Sequence, residues 1–176
     1  MHIKDIPKLT NISNNKESIA LSRLPGRLED WNKDYGIDLD PEFQRGHVWK
    51  MEHKSKYIEF LLRGGVSPII MFNSPAYNDF VKSDLPDTIV LVDGKQRITA
   101  ILEFLDNKVP IFGGHYCKDI EGIIPLLRTK YITVCVNDLT EMPAILQWYL
   151  EINEGNIAHS DDEIERVRNL LKSYKS

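Results

Sequence analysis

The sequence predicts a mixed α/β or α+β domain: a small sheet flanked by helices, with a helical C-terminal part. Continuous apolar runs rich in β-branched residues are typical of buried strands, and three occur, at residues 69–72, 89–92 and 131–136. Apolar residues recur at helical spacing elsewhere, as they do across residues 51–63. With 176 residues, 42% of them hydrophobic, the chain is long enough to bury one core.

The sequence pattern predicts few regular elements in the N-terminal part of the chain. Residues 1–24 are polar, with an asparagine-rich stretch, and predict a loosely ordered arm. A short helix closing at Gly36 is predicted next, from the apolar stripe Leu28, Trp31 and Tyr35. Residues 37–39 alternate like a brief strand, and Asp40-Pro41 is a turn dipeptide.

The later elements follow the glycine and proline pattern. The helix over residues 51–63 is expected to end at Gly64-Gly65, and residues 73–88 predict a surface loop. The remaining predictions are a helix from 95 to about 107, a short strand at 109–112, a weak helix at 120–127, a helix beginning at Glu141 and another after the capping box at 160–163. We therefore divide the chain into an arm (1–24), a main domain (25–138) and a helical extension of that domain (139–176).

Composition excludes several classes of protein. The net charge of −4 argues against a domain that coats nucleic acid by bulk electrostatics. The two cysteines, Cys117 and Cys135, have no metal-ligand spacing, and the five scattered histidines form no metallonuclease motif. No apolar run has the length of a membrane span and residues 1–20 lack the apolar centre of a signal peptide, so we expect a cytoplasmic protein without a membrane partner.

The most informative stretch is the change from strand to helix after residue 92. Gly94 permits a sharp turn, after which Ile98, Ile101 and Leu102 take up helical spacing. The first N–H groups of a helix attract phosphate, and Lys95 and Arg97 add positive charge there. Asp93 would repel a phosphate, which suggests a metal ion, an attacking water or a sugar hydroxyl as its partner.

A second polar segment, FQRGHVW, occupies residues 43–49. In a functional interpretation Arg45 is another phosphate or carboxylate clamp, because a guanidinium can donate two parallel hydrogen bonds to such oxygens. In the alternative Trp49 anchors the core and Arg45 pairs with a nearby carboxylate. The residues alone leave both interpretations open.

Together, residues 43–49 and the stretch VDGKQRITA at 92–100 resemble the FQR-x-x-VW and DG-Q-QR motifs of the GmrSD-type restriction-system N-terminal domain, in the ParB/sulfiredoxin-like superfamily. A third segment, at 152–160 ahead of Glu163, is similar to that family's later asparagine-containing stretch. The resemblance extends from about residue 37 to about residue 171. It implies the ParB/sulfiredoxin-like fold for the main domain.

The resemblance also implies an activity: a nucleoside-triphosphate-binding domain that slowly hydrolyses its ligand with Mg²⁺ in bacterial or phage-infected cells, gating DNA cleavage by a partner nuclease or another defence-system protein. Asp93 would hold Mg²⁺ or the attacking water, Gln96 would orient that water, and Arg97 and Arg45 would stabilise charge. The implied nucleotide-binding residues are Gln44, Arg45, Gly94, Lys95, Gln96, Arg97, Thr99 and Asn153. Because no HNH nuclease domain follows, autonomous DNA cleavage is not expected.

Two alternatives stay open. One is a non-catalytic DNA-binding or regulatory module that keeps the fold, for which a phage origin is one option. It would contact a backbone phosphate through basic residues: Arg45, Lys50, Lys54, Lys56 and Arg97. The other is an interaction protein that caps or inhibits a partner. A homodimer is compatible with all three hypotheses.

Overall fold

The computed structural model describes residues 2, 6, 8–10, 14–44, 46, 49–77, 83, 85–154 and 161–174. The predicted mixed α+β class is confirmed. The strands are β1 (Asn15–Ala20), β2 (Ile37–Asp38), β3 (Ile70–Asn73), β4 (Ile89–Asp93) and β5 (Tyr131–Asn137). The helices are α1 (Leu24–Asp34), α2 (Met51–Leu62), α3 (Lys95–Leu105), α4 (Ile123–Thr129), α5 (Met142–Glu154) and α6 (Asp161–Ser173).

The strands form one mixed sheet in the order β1-β5-β3-β4-β2. β3 runs parallel to β5 and antiparallel to β4, whereas β2 is parallel to β4 and β1 is antiparallel to β5. Asp93 at the end of β4 lies opposite Met71 at the beginning of β3. The corner between β4 and α3 therefore lies at the end of the sheet where β3 and β5 begin.

Side chains alternate between the two faces along each strand, so the sheet has two apolar faces. Helices cover both of them. Ile89 and Leu91 of β4 belong to the larger core, to which α1, α2, α3 and α4 contribute. Val90 and Val92 point to the opposite face and pack in a second cluster with α5 and α6. The three predicted apolar strands thus form the middle of a three-layer domain, as expected of strands buried on both faces.

The prediction of a loosely ordered arm over residues 1–24 is wrong for its second half. Residues 15–20 form β1, which pairs with β5 along its whole length. The sequence NKESIA has only two apolar residues, Ile19 and Ala20, and both are buried. Main-chain hydrogen bonds to β5 hold this edge strand, and they leave no hydrophobic pattern in the sequence.

Two smaller elements also differ from expectation. Residues 109–112 form no strand of the sheet: Ile111 makes a single bridge to His115, and Phe112 has a positive φ of 47°. The weak helix predicted at residues 120–127 is instead α4, which begins at Ile123, so Pro125 falls in its first turn, where its missing N–H costs nothing. Within the described ranges, no helix is long and apolar enough to cross a bilayer.

The two cysteines provide a test of core packing. Cys117 and Cys135 are each 6% exposed and unpaired, and burial raises the pKa of both thiols. Because the thiolate is the reactive species, we expect both to react slowly with Ellman's reagent at pH 8 and rapidly in urea. A thiol that reacts in the native protein as fast as in urea would contradict this packing.

Candidate functional site

The corner between β4 and α3 is built around Gly94. This residue is buried and has φ 107° and ψ 12°, a conformation that side chains rarely allow. A Cβ added there would lie 2.9 Å from Cγ2 of Ile70 on β3. Glycine thus supplies both the sharp turn and the close approach of β3, and as the N-cap residue it has no side chain of its own to cap the first turn of α3.

Arg97 is fixed by acceptors on two elements. Its Nη2 donates to Oδ2 of Asp93 at 2.6 Å, and its Nη1 donates to the carbonyl oxygens of Pro68 and Ile69 at 2.7 and 3.3 Å. The Arg97 side chain is 12% exposed and that of Asp93 29%. The other oxygen of Asp93, Oδ1, accepts no hydrogen bond from any described residue.

Lys95 points away from bulk water. Its side chain is 5% exposed, and its Nζ forms an ion pair with Oδ1 of Asp40. Asp40 itself is mostly exposed, at 76%. Each cation of the corner therefore has a carboxylate partner, Asp40 for Lys95 and Asp93 for Arg97. Asp40 was predicted only as part of a turn, so its role as a partner of this lysine was missed.

Two glutamine side chains join the segments that the sequence singled out. Nε2 of Gln44 donates to the carbonyl oxygens of Leu91 and Val92 at 3.2 and 2.5 Å. In return, Gln96 donates from Nε2 to Gly46 O at 3.1 Å and accepts at Oε1 from the N–H of Trp49 at 3.2 Å. Gln44, Gly46 and Trp49 are thereby held against the end of β4 and the first turn of α3.

Aromatic packing supports the same loop. The ring of Trp49 meets that of Tyr57 on α2 edge-to-face, with centroids 5.3 Å apart. The hydroxyl of Tyr57 shares a hydrogen bond of 2.7 Å with Ser67 Oγ. Burial raises the pKa of Tyr57, and the hydrogen bond to Ser67 and the charge of Arg97 oppose that rise. Trp49 therefore serves as the core anchor that one of the two interpretations predicted.

Arg166 on α6 is a further contributor, and no pattern in the sequence indicates it. Its guanidinium donates to the carbonyl oxygens of Glu42, Phe43 and Gln44, at 2.6, 2.9 and 3.3 Å. Phe43 also packs edge-to-face on Tyr149 of α5, with centroids 5.5 Å apart. The helical extension thus holds the beginning of the FQR segment on the face of the sheet opposite to α3.

The remaining predicted site residues are placed less directly. Arg45 lies outside the described residues, although both of its neighbours, Gln44 and Gly46, contact the corner. Thr99 is half-buried in the second turn of α3. Asn153 is buried near the end of α5 and donates from Nδ2 to Tyr149 O at 2.7 Å. No hydrogen bond joins Asn153 to the corner among the described residues, so its place in the site stays a prediction.

The basic residues of the DNA-binding alternative are partly engaged elsewhere. Lys54 donates to Glu103 at 2.6 Å and its side chain is only 12% exposed. Lys56 pairs with Glu52 one turn away on the same helix, at 2.6 Å. Because these charges already have carboxylate partners, the face of α2 offers little attraction to a phosphate backbone.

The acidic residues define what metal chemistry the site allows. No group of three or more potential ligands among histidine, cysteine, aspartate and glutamate occurs in the described part of the chain. A resident metal centre held by protein ligands alone does not fit this arrangement. Mg²⁺ in nucleotide sites, by contrast, is bound by one or two carboxylates and the substrate's own phosphates, and Oδ1 of Asp93 fits that requirement.

One mixed sheet between two layers of helices, with a glycine at the junction of β4 and α3, defines the class: a three-layer α+β domain. Comparison with protein families matches residues 28–175 to the GmrSD restriction endonuclease, N-terminal domain. Since the match covers most of the chain, the protein belongs to this family, as the resemblance predicted. Comparisons with curated proteins and with solved structures gave no match.

Proposed function

We propose that this domain binds a nucleoside triphosphate at the corner between β4 and α3 and slowly hydrolyses its terminal phosphoanhydride. One observation supports the proposal most: two segments 48 positions apart meet at a helix N-terminus through Gln44 and Gln96. A helix N-terminus approached by arginine is suited to a phosphate chain, because main-chain N–H groups and positive charge converge there.

The proposed roles follow from what the described side chains contact and, for Arg45, from the family resemblance. The N–H groups after Gly94 and the guanidinium of Arg97 hold phosphate oxygens, and Arg45 neutralises the charge that develops on the transferred group. Lys95 contributes positive charge from the buried side of the corner. Binding requires that phosphate oxygens share or replace the acceptors of Arg97, because Asp93 and two carbonyl groups now occupy it.

Asp93 and Gln96 receive different roles. Oδ1 of Asp93 would hold Mg²⁺ or accept a hydrogen bond from the attacking water, while Arg97 fixes the carboxylate through Oδ2. Bound Mg²⁺ would supply charge neutralisation between the phosphates. Gln96 is 7% exposed and both ends of its amide bond the loop, so we assign it a positioning role in place of the water-orienting role first expected.

The family's description, a restriction endonuclease, gives the biological setting of the proposal. We place the nucleotide step upstream of DNA cleavage, which a partner nuclease or nuclease domain carries out. The non-catalytic DNA-binding alternative receives less support, since Lys54 and Lys56 are already paired.

A panel of ATP, GTP, CTP and UTP with Mg²⁺, followed by thermal shift and phosphate release, tests the proposal. We expect one or more triphosphates to stabilise the wild type, and Arg97→Lys to weaken binding at least about tenfold, which is about 1.4 kcal/mol. Lysine keeps the charge but cannot bond Asp93 and two carbonyls together. Arg128→Lys, the same change at an exposed arginine of α4, should bind as the wild type does.

Asp93→Asn separates binding from turnover. It should lower phosphate release more than binding, because the amide keeps an acceptor for Arg97 but loses the charge that Mg²⁺ requires. Two results would overturn the proposal: no triphosphate stabilises the wild type at millimolar concentration, or folded Arg97→Lys and Asp93→Asn bind and hydrolyse as the wild type does.

A further inference from the structure

Strand β1 lies at one end of the sheet order, so one of its two sides faces no other strand of the described residues. The hydrogen-bond pattern shows which groups that side carries. Leu21 N donates to Lys130 O at 2.8 Å, and the register pairs Ala20 with Tyr131. Residues whose groups bond β5 alternate with residues whose groups point outward.

Counting back from Leu21, residues 15, 17 and 19 direct their main-chain groups to β5. The N–H and C=O groups of Lys16 and Ser18 and the N–H of Ala20 therefore point to the open edge. The C=O of Ala20 belongs to the 3-10 turn Leu21–Arg23, of which Ala20 is the N-cap. Within the described ranges, no other strand or loop pairs its main chain with the outward groups. An open strand edge of this kind is a template for another strand.

A groove of about 940 Å³ runs beside this edge, between β1 and the first turns of α1. Its charged lining has three arginines, Arg23, Arg27 and Arg128, against two carboxylates. Arg27 is held in place, because it pairs with Glu17 at 2.8 Å and lies 5.0 Å from the centre of the Trp31 ring. Arg23 and Arg128 are exposed and have no carboxylate partner among the described residues.

These features restrict the occupant of the groove. A row of alternating donors and acceptors is matched by another extended main chain, whereas nucleic-acid phosphates offer acceptors only and would oppose the C=O groups. A second copy paired through β1 would bring its own arginines to the same seam, and like charges would repel. An extended peptide with acidic side chains satisfies both the edge and the arginines.

We propose that the open edge of β1 is a docking site for an extended acidic segment of a partner protein, which adds a sixth strand to the sheet. Main-chain bonds at Lys16, Ser18 and Ala20 supply the general affinity, and Arg23 and Arg128 select acidic side chains. β1 and the first turn of α1 precede the family match, which begins at residue 28. Arg128 lies inside that match, and the groove is separate from the proposed nucleotide site at the β4–α3 corner.

The test uses the full chain, isotope-labelled, and a synthetic peptide in which glutamate and valine alternate. We expect the amides of residues 16, 18 and 20 to shift in NMR spectra and to exchange more slowly when the peptide is bound. The matched peptide with lysine in place of glutamate should bind at least about tenfold more weakly, because it meets the arginines with like charge.

Ser18→Pro removes one outward N–H from the edge, where proline is tolerated. It should lower peptide affinity at least about tenfold. Ser18→Ala keeps the N–H and should bind as the wild type does. Arg23→Glu combined with Arg128→Glu leaves the edge intact and should also lower affinity about tenfold at low salt, which keeps the test valid if the proline variant fails to fold.

Three results would overturn the proposal. The first is unchanged amides of residues 16, 18 and 20 at about 1 mM glutamate peptide, a concentration that detects even weak binding. The second is displacement of the peptide by single-stranded DNA together with unaltered binding by Ser18→Pro, which would assign the groove to nucleic acid. The third is a wild-type dimer that Ser18→Pro dissociates, which would assign the edge to a second copy.

Discussion

Gly94→Ala is expected to lower the free energy of unfolding by about 2–5 kcal/mol, the largest loss we foresee for a single added methyl group. Two costs combine in this variant. Alanine at φ 107° is strained on its own account, and its Cβ would lie 2.9 Å from Cγ2 of Ile70. Relief of the contact requires the first turn of α3 to move away from β3, which displaces the proposed phosphate-binding N–H groups.

Urea denaturation followed by circular dichroism measures the loss, and Gly26→Ala is the matched control. Gly26 lies in α1, and a Cβ there would have nothing within 4 Å. Alanine at that helical position should be neutral or stabilising by up to about 1 kcal/mol. If Gly94→Ala unfolds at the same urea concentration as Gly26→Ala, the corner does not have the conformation described.

Asn73→Leu is expected to destabilise the domain by about 2–4 kcal/mol, because it leaves two buried main-chain groups without partners. Asn73 is 0% exposed and exchanges two hydrogen bonds with Leu139, donating to its carbonyl at 2.9 Å and accepting from its N–H at 2.9 Å. Leu139 is 4% exposed, so water does not replace the lost partner. Leucine has the same number and branching of side-chain heavy atoms, so the substitution opens no cavity.

The control applies the same substitution at an exposed site. Asn169 on α6 accepts only a 3.3 Å hydrogen bond from Lys172, and Asn169→Leu should change stability by no more than about 0.5 kcal/mol. Thermal and urea unfolding of both variants give the comparison. Equal stability of the two would mean that the Asn73–Leu139 pair contributes nothing net, against the expected cost of unpaired groups.

The sequence was sufficient for elements that bury many apolar side chains. Residues 89–92 predicted a strand covered on both faces, and Ile89, Leu91 and Val92 are each 0% exposed. The period change at Gly94 placed the beginning of α3 correctly. Such predictions succeed because the periodicity of apolar residues directly reflects burial.

The sequence was insufficient where main-chain or distant polar contacts decide the structure. β1 was missed because main-chain bonds hold it with only two buried apolar side chains. Lys95 and its partner Asp40 are 55 positions apart, and Arg166 reaches Phe43 O across 123. Which polar groups meet at that separation depends on strand order and helix placement, and local patterns specify neither.

The same distinction between local patterns and distant polar contacts applies to the predictions about the site. That residues 43–49 and 92–100 act together was predicted from a family resemblance, and Gln44 and Gln96 supply the contacts. What each glutamine bonds could not be predicted, because the acceptors are carbonyl oxygens, which every residue carries. Gln96 was expected to orient an attacking water, and it is instead 7% exposed with both ends of its amide bonded to Gly46 and Trp49.

The use of carbonyl oxygens as acceptors has a consequence for mutational tolerance. Gln44, Arg97 and Arg166 each donate to main-chain oxygens of other segments, and so does one end of Gln96. A substitution at an accepting residue keeps the oxygen, whereas truncation of a donor removes the bond. In a deep mutational scan the donors should therefore tolerate few replacements, while accepting positions such as Glu42 and Pro68 tolerate any residue that follows the same backbone path.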